Sequence, residues 1–482
     1  MSVVLAPRPP VRAAEPEREH ALTPLERLEV LCDRGSLHVI RSEIVSMPMG
    51  DKARPGDGVV GGAGTVDGRP MFCYAQDAGF AGGSLGEAHA GTIVRVLELA
   101  GRARAPVVGF VSSGGARMQE GVAALGGYGR VFHRIVALSG RVPQISIITG
   151  SSAGGGAYSP ALTDWVVMTQ RSSMFLTGPG VVKEALGEEV SAGQLGGTRV
   201  HERNGVCHFV ADGEADAAYL ARELLSYLPA HRDERPPVLA SRPPLGRDPA
   251  ASVPSEARRV YDVRSVITAL VDGGELLEVS GGWARNLVTG LARIDGHTVG
   301  VIANQPRYLG GVLDADSSQK GARFVSKCNS FGIPLLVLVD TPGFMPGVRQ
   351  ESAGVIRFGA TLVHAFSEAT VPRISLILRK AFGGAFITMN SKDLGADYVF
   401  AWPQAEIGVM GARPAVAVIH RRELAAADDP DALRDQLSEG YADAQLSPTV
   451  AAAAGYVDEL ITPAQTRSRL VWAFRSLRGT GG

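Results

Sequence analysis

A chain of 482 residues is too long for one ordinary domain and suits two or three. Its 45% hydrophobic content provides for large cores, and a formal net charge of −1 offers no field to draw in nucleic acid. Four scattered cysteines without a CxxC pair speak against a zinc ribbon or a disulfide scaffold and suit a reducing cytosol.

In chain order, MSVVLAPRPPVRAAEPEREH is Pro-rich and charged. It lacks the apolar core of a signal peptide and reads as a loose tail over 1–22. A first domain is expected over 23–240. Within it, PVVGFVSS reads as a buried strand and GVAALGGYGRVFHRIVAL as a helix. QISIIT is the next strand, the glycines after it open a helix, and WVVM and FLT are further strands. GTRVHERNGVCHF reads as a polar loop. Prolines and charges crowd Pro229 to Arg259, which places a linker over 241–258 and a second domain over 259–482. No apolar run reaches the roughly 18 residues needed to span a bilayer. Alternating β and α segments predict an α/β fold of layered sheets and helices.

The chain is written twice. DGRPMFCYAQDAGFAGG begins at Asp67 and DGHTVGVIANQPRYLGG at Asp295. APVVGFVSSGG ends at Gly115 and IPLLVLVDTPG at Gly343, and VPQISIITGSSAGGGAY from Val142 matches VPRISLILRKAFGGAF from Val371. A nearly constant offset over such a length implies two copies of one domain, with a period too long for a solenoid.

GSSAG, Gly150 to Gly154, fits the G-x-S-x-G pattern of a nucleophile elbow around Ser152. The repeat decides against that reading. Ser152 falls opposite Ala381, which has no hydroxyl, whereas Gly154 and Gly155 fall opposite Gly383 and Gly384. His201 and His208 follow in a polar, loop-like stretch with no supporting pattern. Successive glycine N–H groups at a helix start form an oxyanion hole instead, and two copies make two holes. Tight helix–strand packing is the bland account of GGGA; matched copies weigh toward function. SSGGARMQEG and DTPGFMPG follow the central strand of each copy, where α/β sheets hold ligands. Arg117 and Glu120 are candidates for ligand contact there, or a solvated helix pair.

These stretches, with GSSAGGGAYSPALTD, LGGVLDADSSQKGARFV, VDTPGFMPG, LRKAFGGAF and FAWPQAEIGVMGA, resemble the carboxyltransferase (β) subunits of biotin-dependent acyl-CoA carboxylases of the actinobacterial type, from about Leu25 onward. The resemblance implies two tandem crotonase-like domains of ββα superhelical units and a homo-hexamer. It puts each site between the N-terminal half of one subunit and the C-terminal half of another. It assigns Gly154 and Gly155 to the thioester carbonyl, and Gly384 and Ala385 to the ureido carbonyl of biotin. Substrate contacts are implied for Gly114, Gly115, Ala116, Arg117, Gly156, Ala157 and Tyr158 on the acyl-CoA side. On the biotin side they are implied for Gly343, Phe344, Gly383, Phe386 and Ile387. No side-chain acid or base is needed, because carboxybiotin brings its own base. Without an ATP site or a biotinylation motif, the chain is expected to need a biotin carboxylase/biotin carrier α subunit. No metal is expected, since the zinc module of some β subunits is absent. Ile387, where propionyl-CoA-preferring members carry aspartate, favours acetyl-CoA with propionyl-CoA accepted. The rivals are a biotin-dependent decarboxylase or transcarboxylase, a serine hydrolase on Ser152, and a non-catalytic assembly subunit.

Overall fold

The computed structural model describes residues 21–246, 248–256 and 259–478, so the tail expected over 1–22 lies outside the described residues up to residue 20, as do 479–482. The described residues divide into two compact units between Pro237 and Val238.

The first unit is built on β1 (His38–Ile40), β2 (Val59–Val66), β3 (Arg69–Gln76), β4 (Val107–Ser113), β5 (Gln144–Ala153), β6 (Trp165–Thr169), β7 (Ser173–Phe175) and β8 (Phe209–Ala211). The sheet order is β1-β2-β3-β4-β5-β6-β8, with β7 joined to the far end of β5. β1 to β3 run antiparallel and the rest parallel. Every residue of β4 is buried, as expected of a parallel strand covered on both faces. The helix Glu87–Ala103 supplies one cover, burying Ala90, Ile93, Val96, Leu97 and Ala100 on a single stripe. The helix Val122–Leu138 packs beside it through Tyr128, Val131 and Ile135.

The second unit repeats the plan with β9 (Leu276–Glu278), β10 (Leu287–Ile294), β11 (His297–Asn304), β12 (Leu335–Thr341), β13 (Arg373–Phe382), β14 (Tyr398–Ala401), β15 (Glu406–Gly408) and β16 (Glu459–Leu460). Their order is β16-β14-β13-β12-β11-β10-β9, with β15 on the far end of β13. The hairpin turns Asp67-Gly68 and Asp295-Gly296 match: φ is 51° and 73° in the first, 57° and 78° in the second. Such left-handed Asp-Gly pairs suit the twist of a two-residue hairpin. The register between the central strands slips at the same place in both units, between Val111 and Ser113 and between Val339 and Thr341.

Some local expectations shift. The strand read as FLT is Ser173–Phe175, and Leu176 beyond it is exposed, because pairing with Ser151–Ala153 of β5 fixes its span. Part of the expected loop GTRVHERNGVCHF is a helix, Thr198–Asn204, ended by Gly205 at φ 75°. The segment treated as linker, 241–258, carries no helix or strand among its described residues. It is bonded to the second unit: Leu245 N–H donates to Thr268 O at 3.2 Å, and Gly273 N–H to Pro243 O at 3.0 Å.

Candidate active site

In the first unit β5 outruns its neighbour and ends in a glycine turn. Gly154 adopts φ 55° and the helix Gly155–Ala161 starts behind it. The Gly154 amide donates to Phe175 O at 3.0 Å, so it is not available to a ligand. This corrects the assignment of Gly154 as a carbonyl donor: β7 takes that N–H. The amides of Gly155 and Gly156 donate to no acceptor among the described residues, as first-turn helix donors characteristically do not. The side-chain side of both is closed. A Cβ on Gly155 would stand 2.6 Å from Tyr128 Cδ1, and one on Gly156 would stand 2.8 Å from Ser113 Cβ. Tyr128 is in turn held by a 2.9 Å hydrogen bond with Ser113 Oγ. Nothing in the sequence singles out Tyr128 except its place in a glycine-rich helix.

The second unit presents the same device. Gly383 has φ 59° and begins the helix Gly383–Thr388, and the amides of Gly384 and Ala385 donate to no acceptor among the described residues. Gly154 and Gly383 are therefore equivalent, and the free donors Gly155 and Gly156 match Gly384 and Ala385. The floor differs: the ring of Phe344 lies 3.9 Å from a Cβ built on Gly384 and 3.3 Å from one built on Gly359. That looser contact leaves space for a Cβ at Gly384.

The loops after the central strands run alongside. Gly115 has φ 97° and Gly343 φ 138°. Leu85 N–H donates to Gly115 O and Arg117 N–H to Leu85 O, at 2.9 and 3.0 Å. In the second unit Leu313 N–H donates to Gly343 O and Met345 N–H to Leu313 O, at 3.0 and 2.7 Å. Ala116 and Phe344 sit in the middle of these clasps with no acceptor for their amides among the described residues. Gly114, by contrast, donates its N–H to Gly82 O at 2.9 Å.

Arg117 is not a ligand contact. It is fully buried, with Nη1 2.5 Å from Asp57 Oδ1 and 2.9 Å from Glu120 Oε1, and Nη2 donates to Ser84 O. Glu120 also accepts from Ser46 Oγ and from the Glu87 amide, both at 2.6 Å. Burial raises the Asp57 carboxyl above its ordinary range despite the guanidinium. Burial also opposes ionisation of Glu120, but the bonds from Ser46, Glu87 and Arg117 prevail and lower its pKa. The cluster locks the loop behind the glycine turn. It continues to His89, whose Nδ1–H donates to Asp57 O at 3.1 Å while Nε2 accepts from Gln76 Nε2 at 3.1 Å. Gln76 Oε1 in turn accepts the Ser112 amide at the end of β4. In the second unit Asp340 does the corresponding work, accepting from Tyr261 Oη, Arg379 Nε and the Lys380 amide at 2.9, 3.1 and 3.2 Å.

The remaining residues sort by exposure. Ala157 is buried, Phe386 is half-buried, and Tyr158 and Ile387 are each 51% exposed. Ser152 is fully buried and its Oγ has no partner. His201 Nε2 is 2.7 Å from Met174 O, and His208 Nδ1 accepts the Val166 amide, so neither serves Ser152. GSSAG is therefore not a nucleophile elbow. Among the described residues no group of three His, Cys, Asp or Glu side chains is placed to hold a metal, and no helix is long and apolar enough to cross a membrane.

Paired glycine turns with open amides on a duplicated sheet define a class of protein: one that steadies carbonyl oxygens with its main chain. The chain belongs to the carboxyl transferase domain family, whose match runs over residues 17–479. It is 47% identical to the methylmalonyl-CoA carboxyltransferase 12S subunit of Propionibacterium freudenreichii subsp. shermanii, over 95% of this chain and 89% of that one. It is 48% identical to the propionyl-CoA carboxylase beta chain of Saccharopolyspora erythraea, over 94% and 87%. The transcarboxylase 12S crystal structure with methylmalonyl-coenzyme A bound, described as a hexamer assembly, superposes with a TM-score of 0.91 over 95% of this chain and 89% of that chain, at 47% identity. A single-chain, multi-domain long-chain acyl-CoA carboxylase gives 0.82 at 30% identity, over 93% of this chain and 45% of that chain. The fold is crotonase-like in each unit, and the chain is a carboxyltransferase of the biotin-dependent acyl-CoA carboxylase family.

Proposed function

We propose that the chain moves a carboxyl group from carboxybiotin, presented by a carrier protein, to the α carbon of a short acyl-CoA, with acetyl-CoA favoured and propionyl-CoA accepted. The observation that carries this is the pair of matched turns at Gly154 and Gly383, each followed by two amides without an acceptor. The side-chain side of the first is filled by Tyr128 and Ser113, which leaves only the N–H edge for a ligand oxygen. Carboxybiotin, when bound, supplies both the carboxyl group and the base for the α proton.

The protein's part is to bind and polarise. Gly155 and Gly156 donate to the thioester oxygen, which gains negative charge as the α proton leaves. Gly384 and Ala385 donate to the ureido carbonyl oxygen. Fixed main-chain donors cost no reorganisation as charge develops. Exposed apolar side chains follow the loop after each central strand, Met118 (90%) and Val122 (82%) on one unit and Val348 (82%) on the other, and Val409 (76%) adjoins the Gly383 turn. Such surface suits burial against a neighbouring subunit. It supports a homo-hexamer in which the first unit of one subunit faces the second unit of another, with a biotin carboxylase/biotin carrier α subunit as partner in the cytoplasm. The 47% identity to a carboxyltransferase 12S subunit favours a second reading, transfer between two acyl-CoA pools without ATP.

Mixing the chain with candidate α subunits and following bicarbonate- and ATP-dependent carboxylation of acetyl-, propionyl- and butyryl-CoA separates these. A parallel arm replaces bicarbonate and ATP with a carboxylated acyl-CoA as the carboxyl donor; turnover in that arm alone supports the second reading, and no turnover in either arm or with free carboxybiotin refutes both.

A further inference from the structure

The end of the first unit remote from its glycine turn carries a groove that the reaction does not use. It opens where the helices Glu87–Ala103 and Val122–Leu138 finish and where β5 begins. The ten residues of β5, at ~3.3 Å each, set it roughly 30 Å from the Gly154 turn. Leu97, Leu138 and Val142 floor a volume of 750 Å³, within the range of small-molecule sites. Five arginines line it against two carboxylates. Both carboxylates are engaged: Glu98 lies 3.0 Å from Arg134, and Asp233 pairs with Arg104. Arg102, Arg141 and Arg232 make no ion pair with a carboxylate among the described residues, although a 2.9 Å bond from Arg232 N–H to Arg141 O draws two of them together. A helix C-terminus accounts for Arg102, which sits in the last turn of its helix. It does not account for Arg141 and Arg232, which lie outside any helix.

We propose that this groove binds a small anion bearing two or more phosphate charges, gripped by Arg102, Arg141 and Arg232. Planar guanidinium forks match phosphate oxygens in pairs, and three of them without carboxylate partners are otherwise left to repel one another. The site lies at the opposite end of β5 from the Gly154 turn, so its occupancy is a means of regulating the subunit or its assembly.

The test is calorimetric titration of the full chain with inorganic pyrophosphate and, in a second arm, ADP. Saturable, salt-sensitive binding is expected, weakened at least ~10-fold in the triple variant Arg102→Ala/Arg141→Ala/Arg232→Ala. All three side chains are exposed, so circular dichroism of that variant should match the parent. Tighter binding of ADP than of pyrophosphate identifies a nucleotide, and equal binding identifies phosphate alone; both uphold the site. Absence of saturable binding in both arms, or binding unchanged in the triple variant, overturns it. So does loss of affinity for a biotin-carrying protein in the variant when no anion binds, which would make the surface a protein contact.

Discussion

Gly155 and Tyr128 leave no room between them: a Cβ on Gly155 would stand 2.6 Å from the nearest ring carbon. The tyrosine is buried and tied to Ser113, so it cannot swing aside, and any side chain at Gly155 must push the turn outward. Gly155→Ala is expected to lower kcat by roughly 10²–10³-fold, the usual cost of losing one oxyanion donor. Gly384→Ala meets only a 3.9 Å contact and is expected to keep the parent thermal midpoint. Steady-state kinetics beside thermal denaturation of the two variants checks the contrast; equal damage from both would count against it.

Ser152 carries a buried hydroxyl with nothing to bond. Ser152→Ala removes that group and should leave turnover within twofold, or about that, and stability unchanged or raised by up to ~1 kcal/mol. A loss of activity beyond tenfold, roughly the least that removal of a nucleophile would cause, would restore the hydrolase reading.

Arg117 neutralises two buried carboxylates at once. Arg117→Met is expected to destabilise the first unit by about 3–5 kcal/mol, since Asp57 and Glu120 would remain buried without a cation. Urea denaturation measures it. A small effect, combined with a raised KM for acyl-CoA, would instead make Arg117 a ligand contact.

His89 is buried, and burial together with the nearby Arg117 charge holds its pKa down to about 3 from an ordinary 6.5. Its two nitrogens are committed to a donor and an acceptor of the neutral ring, so a second proton would confront the Gln76 amide hydrogens. Between pH 6.5 and about 3 the unfolded chain takes up a proton here that the folded chain refuses. Stability therefore falls as pH falls across that window, by at most about 1.4 kcal/mol per pH unit. Denaturation midpoints of His89→Gln, measured from pH 7 down to 4.5, should show a shallower decline than the parent.

Ile387 is half exposed beside the second turn, which in the proposed assembly faces the acyl-CoA held by the first unit of another subunit. Ile387→Asp is expected to raise the ratio of propionyl-CoA to acetyl-CoA kcat/KM by roughly tenfold, about 1.4 kcal/mol of discrimination. An unchanged ratio in competition assays removes Ile387 from the specificity reading.

Much of the architecture was legible along the chain. PVVGFVSS and QISIIT announce buried strands, the alternation of β and α segments announces the α/β class, and the constant offset announces the duplication, because each depends on local backbone preference and side-chain period. The glycine turns were legible for the same reason: a left-handed φ at Gly154 and Gly383 calls for a residue without Cβ. What the chain alone could not decide was which amides stay free. β7 claims the Gly154 N–H through Phe175, a partner brought in by sheet pairing, and leaves the amides of Gly155 and Gly156 without an acceptor among the described residues. Tertiary structure also turned Arg117 from a surface candidate into a buried counter-ion, because Asp57 and Glu120 converge on it only when loops from distant parts of the first unit pack together. Hydrogen-bond competition and charge burial depend on which segments meet in space, and local sequence carries no record of that.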